Sequence, residues 1–167
     1  VVNYLWVSYH FAAQHFGVLS LYRARAGRAP DATTRRLDRC FALVVGGGFV
    51  VLADALSGSI AFQERWIDPL LGAVGADLFA QTLRNGGIVL VVILTALMLR
   101  VELRSQHASL PRVAYVVGVS AMVLFAFLAR DPFLFIVLWS VQHWSAAMGL
   151  ASLAASGGVQ KPATRWQ

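Results

Sequence analysis

Long stretches of this sequence carry no charged side chain, and they constrain the fold more than any other feature. Asp, Glu, Lys and Arg are absent from residues 1–22, 85–99, 113–129 and 132–160. A hydrocarbon core about 30 Å thick is crossed by about 20 apolar residues in helical conformation. Uncharged runs of about this length are typical of membrane-spanning helices. The chain is therefore predicted to be an all-α, polytopic integral membrane protein.

The composition excludes the other broad classes of protein. Of the 167 residues, 58% are hydrophobic and 13% are charged, which is about half the charged fraction of an average soluble domain. Such a chain has too few polar groups to cover a soluble globular surface, and it is too apolar to be a disordered segment. Cys40 is the one cysteine in the sequence, so neither an internal disulfide nor a cluster of thiolate metal ligands can form.

Five membrane-spanning helices are predicted. They cover about residues 4–22, 41–60, 86–103, 113–129 and 132–154. The uncharged part of the third span, Gly86–Leu99, rises only about 21 Å, so we expect Arg100 and Glu102 to extend that span and reach toward the lipid headgroups. The run Gly46–Gly48 in the second span predicts close approach of another helix, either within this chain or from another subunit.

A short amphipathic helix is predicted at about residues 68–84, on the outer membrane surface. Asp68–Pro69 is a favourable helix start. Apolar residues recur after it at helical spacing, which is typical of a helix lying in the membrane interface. They are Ile67, Leu70, Leu71, Val74 and Leu78. This helix is predicted to pack on the bundle as a lid, or alternatively to be a docking surface for a partner.

The basic residues predict the orientation of the chain. Eleven lie on one side of the predicted membrane and three on the other, and positive residues favour the cytoplasmic side. The visible N-terminus is therefore expected outside and the C-terminus in the cytoplasm, with a bacterial cytoplasmic membrane as the expected location. The eleven are Arg23, Arg25, Arg28, Arg35, Arg36, Arg39, Arg100, Arg104, Arg112, Lys161 and Arg165, and the three are Arg65, Arg84 and Arg130.

The start of the chain is predicted to be a membrane span and not a signal peptide. Residues 1–22 lack a basic start and contain several polar side chains. Because the first residue is Val1, we expect natural sequence upstream, which leaves room for a sixth span.

Polar side chains inside the predicted spans are candidate functional residues, because each is costly in a membrane. His10 and His15 in the first span and His143 in the fifth all lie within a few ångströms of the expected midplane. His10 shares a helix face with Gln14. His15 lies about 140° around the helix from His10, so we expect it to face a different neighbour. A site between spans one and five is expected if those spans pack together.

The predicted chemistry of these histidines is cofactor ligation. Imidazole is an axial ligand for haem iron, and it can also coordinate the magnesium of a chlorophyll-type pigment. His143 is the strongest candidate because of its depth and its aromatic neighbours, and His10 is the second candidate for axial ligation. The alternative is hydrogen bonding across a helix interface. The candidate cofactor-binding residues are His143, His10, His15, Trp139 and Trp144, with Gln14 and Gln142 as polar neighbours.

Asp54 places a carboxylate in the outer half of the second span. We expect it to lie near the outer headgroups, with Ser57 on the same helix face as its nearest partner. The alternative is a role in proton relay or cation binding.

The sequence favours a non-catalytic function. No HxxxH or HxxHH cluster exists, and one of the four histidines, His107, falls in a loop. We expect an accessory integral subunit of a larger photosynthetic or respiratory membrane assembly, in contact with lipid and other membrane subunits. The alternative is a membrane metalloprotein or haem redox enzyme with a site built from His10, His15 and His143. The net charge of +6 is explained by topology, and nucleic-acid binding is not expected because no fold signature accompanies it.

Overall fold

The computed structural model describes residues 2–27, 31–57, 59, 63–106, 108–129 and 132–157. These residues form helices and connecting turns without a β-strand, so the all-α prediction is confirmed for them. Several residues used in the sequence analysis fall outside the described residues, namely Arg28, His107, Arg130, Lys161 and Arg165.

Six α-helices make up the described part of the chain. They are α1 (Val2–Arg25), α2 (Ala32–Phe41), α3 (Phe49–Ser57), α4 (Asp68–Leu103), α5 (Leu110–Ala129) and α6 (Pro132–Gly157). A π-helical turn, Ala42–Gly46, joins α2 to α3, and a second one, Gln63–Ile67, precedes α4. Among the described residues, three helical segments are long and apolar enough to cross a membrane. They are Ala32–Leu56, Val74–Leu103 and Leu110–Ala129.

The predicted second span begins earlier than expected and is broken near its middle. Helix α2 starts at Ala32 because the Asp31 carboxylate caps it, accepting a bond from the Thr34 backbone N–H at 2.8 Å. Hydrogen bonds from the side chain and backbone of Thr34 also hold the pKa of Asp31 below its usual value. The helix is interrupted where Gly48 adopts a φ of 64°, a conformation that glycine tolerates best.

No helix end separates the predicted surface helix at 68–84 from the predicted span at 86–103. Both belong to α4, whose one interruption is Gly72 with φ 69° and ψ 168°. Most apolar residues assigned to the surface helix are exposed, as Leu70 at 81% and Leu78 at 61% illustrate, whereas Ile67 is partly buried. The sequence signals for two elements therefore describe one long helix, which continues through Asn85, Gly86 and Gly87 although these are weak helix formers.

Helix α4 is the centre of the packing. It contacts α3, α5, α2 and the second π-helical turn. Helix α1 lies against the first π-helical turn, and α6 packs on α5. The core between these helices is apolar and includes Leu19, Phe41, Val45, Val91 and Val123. This arrangement brings the histidines of α1 into contact with residues of α5 and α6.

Candidate functional site

The first and last helices meet through aromatic and imidazole rings. The ring centroids of His10 and His143 are 5.7 Å apart. Phe11 lies between the helices, stacked on Trp139 at 4.0 Å and edge-on to His143 at 4.1 Å. The sequence does not show whether spans one and five are neighbours, and the structure brings His10, His143 and Trp139 together. We call these residues, with Phe11, the α1–α6 cluster.

The polar atoms of the α1–α6 cluster are only partly bonded. Gln14 Nε2 donates to the His143 carbonyl oxygen at 3.4 Å, and Trp139 Nε1 donates to the Gly46 carbonyl oxygen at 3.0 Å. The second bond satisfies a carbonyl group in the turn where α2 and α3 are interrupted. Within the described part of the chain, His143 Nδ1 is buried and has no hydrogen-bond partner. That nitrogen is a polar group available to a ligand or partner.

The outer side of the cluster is open. His10 is exposed and stacks on Trp6 with a centroid distance of 5.6 Å. Trp6 is itself 64% exposed, and Trp144, whose ring lies 5.8 Å from His143, is 65% exposed. An imidazole and two indoles therefore face outward from α1 and α6 at neighbouring positions.

The geometry limits which cofactor these residues could hold. Phe11 fills the space beside His143, so a haem plane has no room between the two helices in this arrangement. The described residues contain no group of three or more His, Cys, Asp or Glu side chains placed to hold a metal ion. A single axial bond from the outward-facing His10 requires neither a gap between the helices nor a third ligand.

His15 belongs to a different contact, as its position on the helix predicted. It is 2% exposed, and its Nδ1 shares a 2.6 Å hydrogen bond with Tyr115 Oη on α5. A Cβ placed on Gly46 would lie 2.6 Å from the His15 ring. Glycine at position 46 therefore leaves the space that the imidazole occupies. The described contacts therefore do not join His10, His15 and His143 in one three-histidine site.

Removing the tyrosine hydroxyl is expected to leave a buried imidazole nitrogen without its partner. The Tyr115→Phe variant should lower the free energy of unfolding by about 1–3 kcal/mol. Denaturant titration in mild detergent, followed by circular dichroism, measures the change. Tyr9→Phe is the matched control, because Tyr9 is exposed and its loss should change stability by less than about 0.5 kcal/mol. Equal stability of the two variants would contradict the assigned role of Tyr115.

Asp54 has a partner that the sequence analysis did not assign. Arg84 Nε on α4 donates to Asp54 Oδ1 at 3.1 Å, and a second guanidinium nitrogen lies 3.4 Å from Oδ2. The expected partner, Ser57, has a side chain outside the described part of the structure. Because Asp54 and Arg84 lie 30 residues apart in the sequence, only the packing of α3 on α4 reveals the pair.

A buried network of four charges lies at the opposite end of the bundle, where α1 and α4 end and α5 begins. Arg112 is 2% exposed and donates to Asp38 Oδ1 at 2.6 Å and to the Leu19 carbonyl at 2.9 Å. Its Nε lies 3.0 Å from Glu102 Oε2. Arg23 completes the network through a 2.8 Å pair with Asp38.

Arginines near span ends are equally typical of topological signals, so their spacing did not predict this network. The prediction that Glu102 reaches toward the headgroups is wrong, since Glu102 is buried and also accepts the Ser109 backbone N–H at 2.7 Å. One signal was available. Asp38 and Glu102 are acids inside arginine-rich segments at span ends, and an acid at such a place is expected to need a basic partner when it is buried.

No protein-family model, no curated protein and no solved structure matches this chain.

Proposed function

We propose that this chain is an accessory integral subunit of a larger membrane assembly and that it docks through the outer face of α1 and α6. The observation that carries the proposal is the exposure of His10 on a helix stretch without charges. An imidazole facing hydrocarbon loses its hydrogen bonds to water, which makes the exposed position costly unless another molecule covers it.

The proposal includes five membrane spans. Helices α1 and α6, with 24 and 26 residues, are long enough to cross a hydrocarbon core of about 30 Å. Their polar residues, chiefly histidine and glutamine, lower their hydropathy relative to the three apolar segments. We propose that both cross the membrane beside those segments and that their polar residues mark contacts with protein or ligand.

The proposed orientation places the C-terminus in the cytoplasm of a bacterium. Arg23 and Arg112 are buried in ion pairs, and Arg84 is paired on the opposite side. When these three arginines are left out of the count, the predicted cytoplasmic side still carries more basic residues than the other side. The positive-inside rule therefore supports the same orientation as before.

Haem or a chlorophyll-type pigment, bound through one histidine, is the proposed ligand at this face. His10 is the favoured axial ligand because its ring is exposed, whereas His143 contributes a buried nitrogen without a partner. Bound pigment or haem would assign the assembly to the photosynthetic or respiratory complexes.

Purification of the full chain from its native membrane in mild detergent tests this proposal. We expect stoichiometric membrane partners, and a visible absorption band that is lost in His10→Ala. Retention of the partners should fall at least about tenfold in Trp144→Ala, as for residues at the centre of an interface. Leu128→Ala is the matched control, because Leu128 is also exposed, at 76%, but lies on α5. A colourless wild-type chain without partners would overturn the proposal.

A further inference from the structure

A groove on the opposite side of α1 from the α1–α6 cluster combines small apolar residues with an arginine. It has a volume of about 320 Å³, which is space for about ten groups the size of a water molecule. Its walls come from α1, from the end of α2 and from the following π-helical turn. The lining includes Ala12, Ala13, Phe16, Arg39, Ala42 and Leu43.

The shape of the groove follows from the small residues. Alanine side chains at positions 12, 13 and 42 leave a channel between two helices that otherwise approach closely. Tyr9 lines it as well, about 10 Å along α1 from Phe16. Ala13, Tyr9 and Leu43 are exposed, so the channel opens to the surroundings of the protein along its length.

The charge at one end of the groove is not neutralised within the described part of the chain. The Arg39 guanidinium carbon lies 5.5 Å from the centre of the Phe16 ring, and no described carboxylate pairs with it. Asp38, its neighbour in sequence, is held by Arg23 and Arg112. Arg35, one helical turn from Arg39 toward the start of α2, is exposed and adds a second positive charge.

The direction of the groove matches a lipid molecule in the membrane. Phe16 is closer than Tyr9 to Arg23 and to the charged end of α1, so the groove runs from charged residues toward the uncharged middle of the helix. A phospholipid has the same polarity, with its phosphate at the surface and its acyl chains toward the centre. Guanidinium groups bind phosphate with two parallel hydrogen bonds.

We infer that this groove binds one anionic phospholipid from the leaflet that faces the arginine-rich side. The phosphate contacts Arg39 with Arg35 nearby, and one acyl chain lies along Ala12, Ala13 and Ala42. Anionic lipids are enriched in the cytoplasmic leaflet, which is where the positive-inside rule locates these arginines. The inference requires a membrane but no partner subunit. Its test is therefore independent of the test of the proposed docking face.

Native mass spectrometry of the full chain, incubated with phosphatidylglycerol or phosphatidylcholine in mild detergent, tests the inference. We expect one retained phosphatidylglycerol, held about fivefold more strongly than phosphatidylcholine, as for one arginine near a lipid phosphate. Arg39→Gln should remove this preference. Arg100→Gln is the matched control, because Arg100 is exposed on the same predicted side but lies on α4, and it should retain the preference.

A variant that fills the groove separates a specific site from general attraction to charge. Ala13→Phe should lower the retention of both lipids, because Ala13 is exposed in the groove and the larger ring takes the place of the acyl chain. The unfolding midpoint of each variant in detergent checks that it remains folded. Equal retention of both lipids by the wild type, an Arg39→Gln variant that behaves like Arg100→Gln, or an unaffected Ala13→Phe variant would each overturn the inference. If the Arg39→Gln variant loses a co-purified protein and not a lipid, that result would also overturn the inference.

Discussion

Replacement of Arg112 by methionine is expected to lower the free energy of unfolding by about 3–5 kcal/mol. The Arg112 guanidinium is buried and bonds Asp38, Glu102 and the Leu19 carbonyl. Methionine is shorter and carries no charge, so Glu102 would lose its ion pair with Arg112, and Asp38 would keep its pair with Arg23. Removing one member of a buried ion pair is costly because the remaining charge stays out of water.

Denaturant titration in mild detergent measures the effect, with helix content followed by circular dichroism. Arg104→Met is the matched control, because Arg104 is exposed beside the same end of α4, and its stability should change by less than about 0.5 kcal/mol. If Arg112→Met does not fold, Arg112→Lys keeps the charge but not the guanidinium geometry and should lose an intermediate amount. Equal stability of Arg112→Met and Arg104→Met would contradict the role of the network.

The Gly47→Ala variant is expected to separate α1 from the first π-helical turn. A Cβ on Gly47 would lie 2.8 Å from the Ser8 carbonyl oxygen and 2.9 Å from the Leu43 carbonyl oxygen. Both are backbone atoms, so neither can move aside by changing a rotamer. Overpacking of this kind destabilises by about 1–3 kcal/mol, and we expect the upper end of that range.

Gly118→Ala provides the matched control for this prediction. Gly118 lies in α5, and a Cβ there would meet nothing within 4 Å. Alanine is favoured over glycine in a helix by about 1 kcal/mol, so this variant should be as stable as the wild type or more stable. The same titration in detergent compares the two variants. A Gly47→Ala protein as stable as Gly118→Ala would show that the close contact between α1 and the turn does not contribute.

Local patterns in the sequence were sufficient for the helical class and for the candidate polar residues. The uncharged runs predict helices because a helix satisfies every backbone N–H and C=O within one continuous apolar segment. The 140° separation of His10 and His15 also predicted different neighbours, and their rings do contact His143 on α6 and Tyr115 on α5 respectively. The glycine run predicted a close helix contact, and the structure identifies α1 as the helix that makes it.

Helix boundaries were predicted less well. Gly72 interrupts α4, although the sequence pattern suggested a break near residue 85. Helix α2 begins at Ala32, before the apolar run, because a capping carboxylate starts the helix without any hydrophobic signal. In both cases hydropathy predicts which part of a helix lies in the membrane, but it does not predict the residue at which the helix begins or ends.

The sequence establishes which residues are apolar, which are charged and how they are spaced, because these follow from side-chain chemistry and helical periodicity alone. It therefore predicts the all-α class, the unequal number of basic residues on the two sides of the membrane, and the histidines that lie inside the spans. Pairings across the bundle depend instead on how helices distant in the sequence pack. Asp54 with Arg84, His15 with Tyr115, and Arg112 with Asp38 are 30, 100 and 74 residues apart. No local pattern encodes such contacts, since each forms only when helices distant in the sequence pack together.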